Sequence, residues 1–80
     1  MRLDKYLKVA RIIKRRTVAN DACDTSHVCV NGKPAKASYD VKVGDILELR
    51  FGEKTTKFEV MNVLEHVGKD AASELYRVVE

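Results

Sequence analysis

The sequence predicts an α+β fold, with two N-terminal helices packed on a small, mostly antiparallel sheet. Three observations carry this reading. Apolar residues recur at helical spacing between residues 3 and 24, two-residue alternation replaces that spacing after residue 28, and an Asn-Gly pair at 31–32 supplies a hairpin turn.

The elements follow in order. At about 100° per residue, Leu3, Tyr6, Leu7, Ala10 and Ile13 share one arc, while Lys5, Lys8 and Arg11 gather on the opposite side. Ile12 would project into the basic side, so the first helix is expected to end near residues 10–12, with a turn before Lys14. A second helix is expected from about Arg15 to Asp24, burying Val18, Ala19, Ala22 and part of Cys23. These small side chains permit close approach of the two helices. Asp21 and Asp24 come late in that helix, where the dipole disfavours them, and Thr25-Ser26-His27 should interrupt it. Val28-Cys29-Val30 then reads as a strand closed by Asn31-Gly32-Lys33-Pro34. Val41 to Leu49 alternates through a Gly44-Asp45 turn into a strand that continues to about Phe51. Lys57 to Val63 and Leu75 to Val79 complete the sheet.

Composition narrows the function. With 45% hydrophobic and 34% charged residues, one proline and four glycines, the chain is a compact globular one. Eighty residues leave no room for a catalytic domain beside it. The net charge of +3 hides an asymmetry: residues 1–42 hold ten Lys/Arg against four Asp/Glu, and residues 43–80 hold five against eight. A polyanion such as RNA, DNA or an anionic membrane surface is therefore expected to meet the N-terminal half. No apolar run approaches the roughly 20 residues that span a bilayer, and Met1-Arg2-Leu3-Asp4 lacks the apolar region of a secretion signal. Cys23 and Cys29 accordingly read as thiols of a reducing cytosol that fill small apolar spaces. Together with His27 they do not make a standard zinc spacing, and no metal or other cofactor is expected. Nor is a nucleophilic triad, a phosphate-cradling glycine loop or a paired-carboxylate site visible, so no catalytic residue is assigned.

Arg2-Leu3-Asp4-Lys5-Tyr6-Leu7, Arg16-Thr17, Val30-Asn31-Gly32-Lys33 and Gly44-Asp45, in this order and spacing, resemble the S-four RNA-binding domain, or alpha-L motif, over residues 2 to about 51. That family recurs in bacterial tyrosyl-tRNA synthetases, pseudouridine synthases and heat-shock ribosome-recycling factors. The resemblance implies one domain over 1–80, with 2–51 its RNA-binding core and 52–80 a strand-containing extension. The Lys14-Arg15-Arg16-Thr17 run and the continuation RFGEKTTKFEV are most similar to stand-alone members that serve ribosome-associated quality control in Gram-positive bacteria. This similarity implies a cytoplasmic, ribosome-associated binding factor, not an enzyme. It would engage the stalled large subunit through ribosomal RNA and peptidyl-tRNA, and act beside a NEMF-type partner, RqcH, in alanine tailing. A heat-shock-type recycling factor and a basic protein-interaction module are the alternatives, while the short amphipathic helix weighs against a membrane-surface module. Nothing in the sequence suggests a dimer. Two departures from the family stand out: Ser26-His27 replaces a glycine after the second helix, and Lys14-Arg15 replaces a serine before it.

The basic residues divide by chemistry. A guanidinium donates two parallel hydrogen bonds to phosphate, whereas an ammonium acts as a mobile point charge. Arg2, Arg15 and Arg16 are therefore expected to position RNA, with Lys5, Lys8, Arg11 and Lys14 as an electrostatic field around them. Thr17 can donate from its hydroxyl beside the unpaired N–H groups of the second helix. Asn31, Lys33 and Lys36 would form the opposite rim, with Gly32 allowing close backbone approach. Asp4, alone among seven basic residues in positions 1–16, is expected to orient an arginine such as Arg16. Tyr6 falls on the core arc, while Tyr39 is left open between packing and base stacking. Glu59, Glu65, Asp70 and Glu74 would keep the C-terminal part off RNA or face a protein.

Overall fold

The computed structural model describes residues 1–65, 67–68 and 71–79; His66 and Asp70 lie outside the described residues. Helices α1 (Leu3–Val9) and α2 (Arg16–Asp24) precede β1 (Val28–Val30), β2 (Lys33–Pro34), β3 (Ile46–Phe51) and β4 (Lys54–Val60). A 3₁₀ turn over Ala72–Glu74 then leads into β5 (Tyr76–Val79). The strands form one antiparallel sheet in the order β2-β1-β3-β4-β5.

Helix α1 buries Leu3, Tyr6 and Leu7 completely, each burial contributing on the order of 1.5–3 kcal/mol. The helix ends earlier than its apolar pattern suggests, because Arg11 turns left-handed (φ 60°) and the N–H groups of Ile12 and Ile13 both bond the Leu7 carbonyl. That turn carries Ile12 and Ile13 back onto the core, which accounts for the break in helical phase at Ile12. Helix α2 packs through Ala19, Ala22 and Cys23. Val18, expected in that face, is 47% exposed, since α1 flanks only the other side of the helix. At the far end Ser26 adopts φ 64° itself, in the place where a glycine is usual, and His27 N–H bonds the Ala22 carbonyl at 2.9 Å.

The first hairpin is tighter than expected. Lys33-Pro34 belongs to β2, and the turn is Asn31-Gly32 alone, with φ 52° and 85° as a type I′ turn requires. Val41 is buried in an irregular segment that turns at Gly44-Asp45 into β3. Strand β4 begins at Lys54 and ends at Val60, three residues ahead of the expected span, because Gly52-Glu53 makes a second two-residue turn after Phe51. Threonines 55 and 56 hid that start, since this end of the strand is mostly exposed and shows no apolar alternation.

Two connections fix α1. Its N-terminal side is tied to the segment after β2, with Leu3 N–H on the Tyr39 carbonyl and Val41 N–H on the Met1 carbonyl, each at 2.8 Å. Its other flank meets the C-terminal part. There the Leu75 carbonyl accepts the Tyr6 hydroxyl at 2.7 Å and the N–H groups of Met61 and Asn62 at 2.8 and 3.2 Å.

Candidate nucleic-acid interface

Asp4 is the hub of the site. It lies on the α2 side of α1 and is 2% exposed, yet its carboxylate accepts five hydrogen bonds. Oδ1 takes the Lys5 N–H at 2.8 Å and Arg2 Nε at 3.2 Å. Oδ2 takes Arg2 Nη2 and Arg16 Nε at 3.4 Å each, and Asn20 Nδ2 at 3.3 Å. Burial raises its pKa, but the bonds from Asn20, Arg2, the Lys5 N–H and Arg16 outweigh burial and hold the carboxyl below its ordinary value. The carboxylate therefore stays charged and gathers two half-exposed guanidiniums, leaving the Nη donors of Arg16 uncommitted to it.

Around this hub opens a cleft of about 370 Å³ lined by Arg2, Asp4, Arg16, Thr17, Asn20 and Asp21. Three of these are expected contact residues. Asn20 and Asp21 were not, although they stand one helical turn beyond Arg16 and Thr17, and i,i+4 spacing could have placed them there. Lys8, Arg11, Lys14 and Arg15 are exposed on α1 and on the turn that enters α2, and are not among the residues that line the cleft. Lys36 is exposed in a loop whose next residue, Ala37, donates to Asp24 and accepts from the Asp4 N–H, both at 3.3 Å. Lys36 is thus held alongside both helices.

Lys5 and Asn31 differ from expectation. Lys5 turns to the other flank of α1 and pairs with Glu65 at 3.5 Å, docking the segment after β4. The Asn31 carboxamide is engaged by its own turn: Nδ2 donates to Asp45 at 3.2 Å, and Oδ1 accepts the Ile46 N–H at 3.0 Å. Lys33 is exposed next to that turn, at the hairpin end where the opposite rim is expected. Tyr39 packs against the core, and its hydroxyl donates to Asp45 at 2.9 Å, which resolves its reading in favour of packing. Glu59 pairs with Arg77 at 2.6 Å within the sheet. Cys23 and Cys29 are both buried, and burial, with Asp4 and Asp24 nearby, pushes the Cys23 thiol up to about 12. Among the described residues, no three His, Cys, Asp or Glu side chains come together as a metal site.

The arrangement offers guanidinium donors beside a hydroxyl in an open cleft on the basic half of the molecule. The S4 domain profile matches residues 1–47, which include both helices and the first hairpin. The chain belongs to the S4 domain family. S4 relatives extend the likeness over the whole chain. It is 54% identical over 98% of its length to the RQC P-site tRNA stabilizing factor of Halalkalibacterium halodurans, covering 89% of that protein. It is 45% identical over its full length to the factor of the same name from Bacillus subtilis, covering 93% of it. Among solved structures, the trimeric Heat Shock Protein 15 of Vibrio cholerae superposes with a TM-score of 0.90 at 32% identity, over 99% of this chain and 81% of that one. The similarity expected to the quality-control branch of the S4 family, and the α+β fold, both hold. No helix among the described residues is long and apolar enough to cross a membrane.

Proposed function

We propose that this S4 protein is a binding factor, not an enzyme, that holds tRNA on the large ribosomal subunit during quality control of stalled translation. The observation that carries the reading is the pair of arginines gathered by buried Asp4 in the α1–α2 cleft. Guanidiniums held at fixed spacing match neighbouring phosphates of a structured RNA, whose shape is read where its deep groove admits no side chain. Arg2, Arg16 and Thr17 make the direct contacts, with Lys8, Arg11, Lys14, Arg15 and Lys36 as the surrounding field. Lys5 and the Asn31 carboxamide take no direct part, and Lys33 stays in the exposed field at the opposite rim. The 54% identity to a P-site tRNA stabilizing factor supports tRNA as a ligand, and in this reading ribosomal RNA is bound beside it. In this reading the protein acts in the cytoplasm, monomeric off the ribosome, as one domain with residues 52–80 as its extension. An RqcH-type factor adds alanine to the nascent chain while this protein steadies the tRNA.

The test is sedimentation of the tagged protein from lysate, wild type beside Arg2→Ala/Arg16→Ala, with large-subunit fractions probed for peptidyl-tRNA. Wild type is expected to co-migrate with peptidyl-tRNA-bearing large subunits and the double variant to stay at the top of the gradient. Equal migration of the two proteins, or wild type at the top, refutes the reading. The 0.90 TM-score to Heat Shock Protein 15 favours a second reading, a recycling role, in which wild type co-migrates with large subunits whether or not peptidyl-tRNA is present.

A further inference from the structure

The cleft contains more than a phosphate site needs. A phosphate is an acceptor, so a pocket built only for it presents donors. This one also presents acceptors, and their placement follows from the Asp4 network. Asn20 gives its amide nitrogen to Asp4, which commits its Oδ1, a pure acceptor, to the remaining side of the side chain. Asp21, next along α2, adds an exposed carboxylate that makes no hydrogen bond or ion pair with another described residue. A carboxylate lining the same cleft as two arginines weakens their hold on a bare phosphate. It becomes favourable when the ligand carries a hydroxyl donor beside its anionic group.

We infer that the cleft reads the sugar as well as the phosphate, with Asn20 Oδ1 and the Asp21 carboxylate accepting the 2′-hydroxyl of a ribose whose phosphate is held by Arg2 and Arg16. This rests on the RNA-binding reading above and deepens it. The 2′-hydroxyl is the one sugar group that separates RNA from DNA, and it is a donor. A deoxyribose in the same place leaves the carboxylate facing a phosphate with nothing to offset the repulsion. Discrimination thus comes as much from a penalty on the wrong sugar as from attraction to the right one.

Interference mapping tests this. A tRNA transcript carrying about one randomly placed 2′-deoxy residue per molecule is partitioned into protein-bound and free fractions, and the positions depleted from the bound fraction are read out. With wild type, one or two positions are expected to be depleted about tenfold, the effect of one hydrogen bond to a charged or well-held acceptor. With Asp21→Ala those positions should no longer be depleted, and the affinity for unmodified transcript should fall by up to about tenfold, because the all-ribose ligand loses the same hydrogen bond. Asp21 is exposed on a helix and alanine suits that position, so the variant should fold. Asn20→Ala, checked by thermal melting, should relieve the same positions in part. The inference fails if wild type shows no depleted position, or if Asp21→Ala keeps the same depletion. The broader reading fails separately, if wild type does not bind the transcript or if Arg2→Ala/Arg16→Ala binds as tightly as wild type.

Discussion

A buried aspartate in a basic strip looks misplaced until its partners are counted. Five donors converge on Asp4, and without it two guanidiniums would repel each other across the α1–α2 seam. Because its folded-state pKa lies below the ordinary value of 3.8, the folded state favours the ionised carboxylate. The resulting stabilisation is present above pH 3.8 and is lost as pH falls through the lower, folded-state value. Asp4→Asn is therefore expected to cost about 1–3 kcal/mol at pH 7 and to flatten the fall in stability as pH drops below 3.8. Urea unfolding midpoints at pH 7 and at successive steps below pH 4 check both. Sequence reasoning could assign Asp4 to an arginine because a lone acid among seven bases needs a partner. It could not count the donors, since Asn20 stands 16 residues away and reaches Asp4 only once the helices pack.

Among the elements, the β1–β2 hairpin depends most on backbone conformation. Gly32 sits at φ 85°, and a Cβ built there meets nothing within 4 Å, so Gly32→Ala is a clean measure of left-handed strain. A loss of about 1 kcal/mol is expected in equilibrium unfolding, with RNA binding unchanged. A much larger loss would mean that the hairpin supports the fold in some further way. This turn was legible from two residues because both tolerate positive φ. The left-handed turns at Arg11 and Ser26 were not, because neither residue type favours that conformation and tertiary packing imposes it. The start of β4 was hidden for a related reason: its exposed end needs no apolar alternation.

Over the whole molecule the charge is divided, and the division predicts how binding responds to salt. If RNA lies across the basic half, each neutralised phosphate releases counterions, and log affinity falls linearly with log salt. Arg16→Ala should weaken binding and reduce that slope by about one, measured by titration at several salt concentrations. A complex indifferent to salt would point to a protein partner. This asymmetry was readable from composition, but the opposite commitments of Lys5 and Lys36 were not. Lys5 joins the acidic extension through Glu65, and only the docking of that extension on α1 reveals it.

The Leu75 carbonyl carries a consequence for synthesis. It accepts the Tyr6 hydroxyl across a sequence separation of 69 residues, so the first helix completes its hydrogen bonding only when Leu75 has arrived. A polypeptide released short of that point keeps a large phenol with no acceptor at the centre of its core, an arrangement that favours opening over closure. Such a long-range contact makes folding depend on chain length and slows it relative to a local helical hairpin. Truncated copies, although they carry nearly every basic residue, would then be left to proteases before they could occupy RNA.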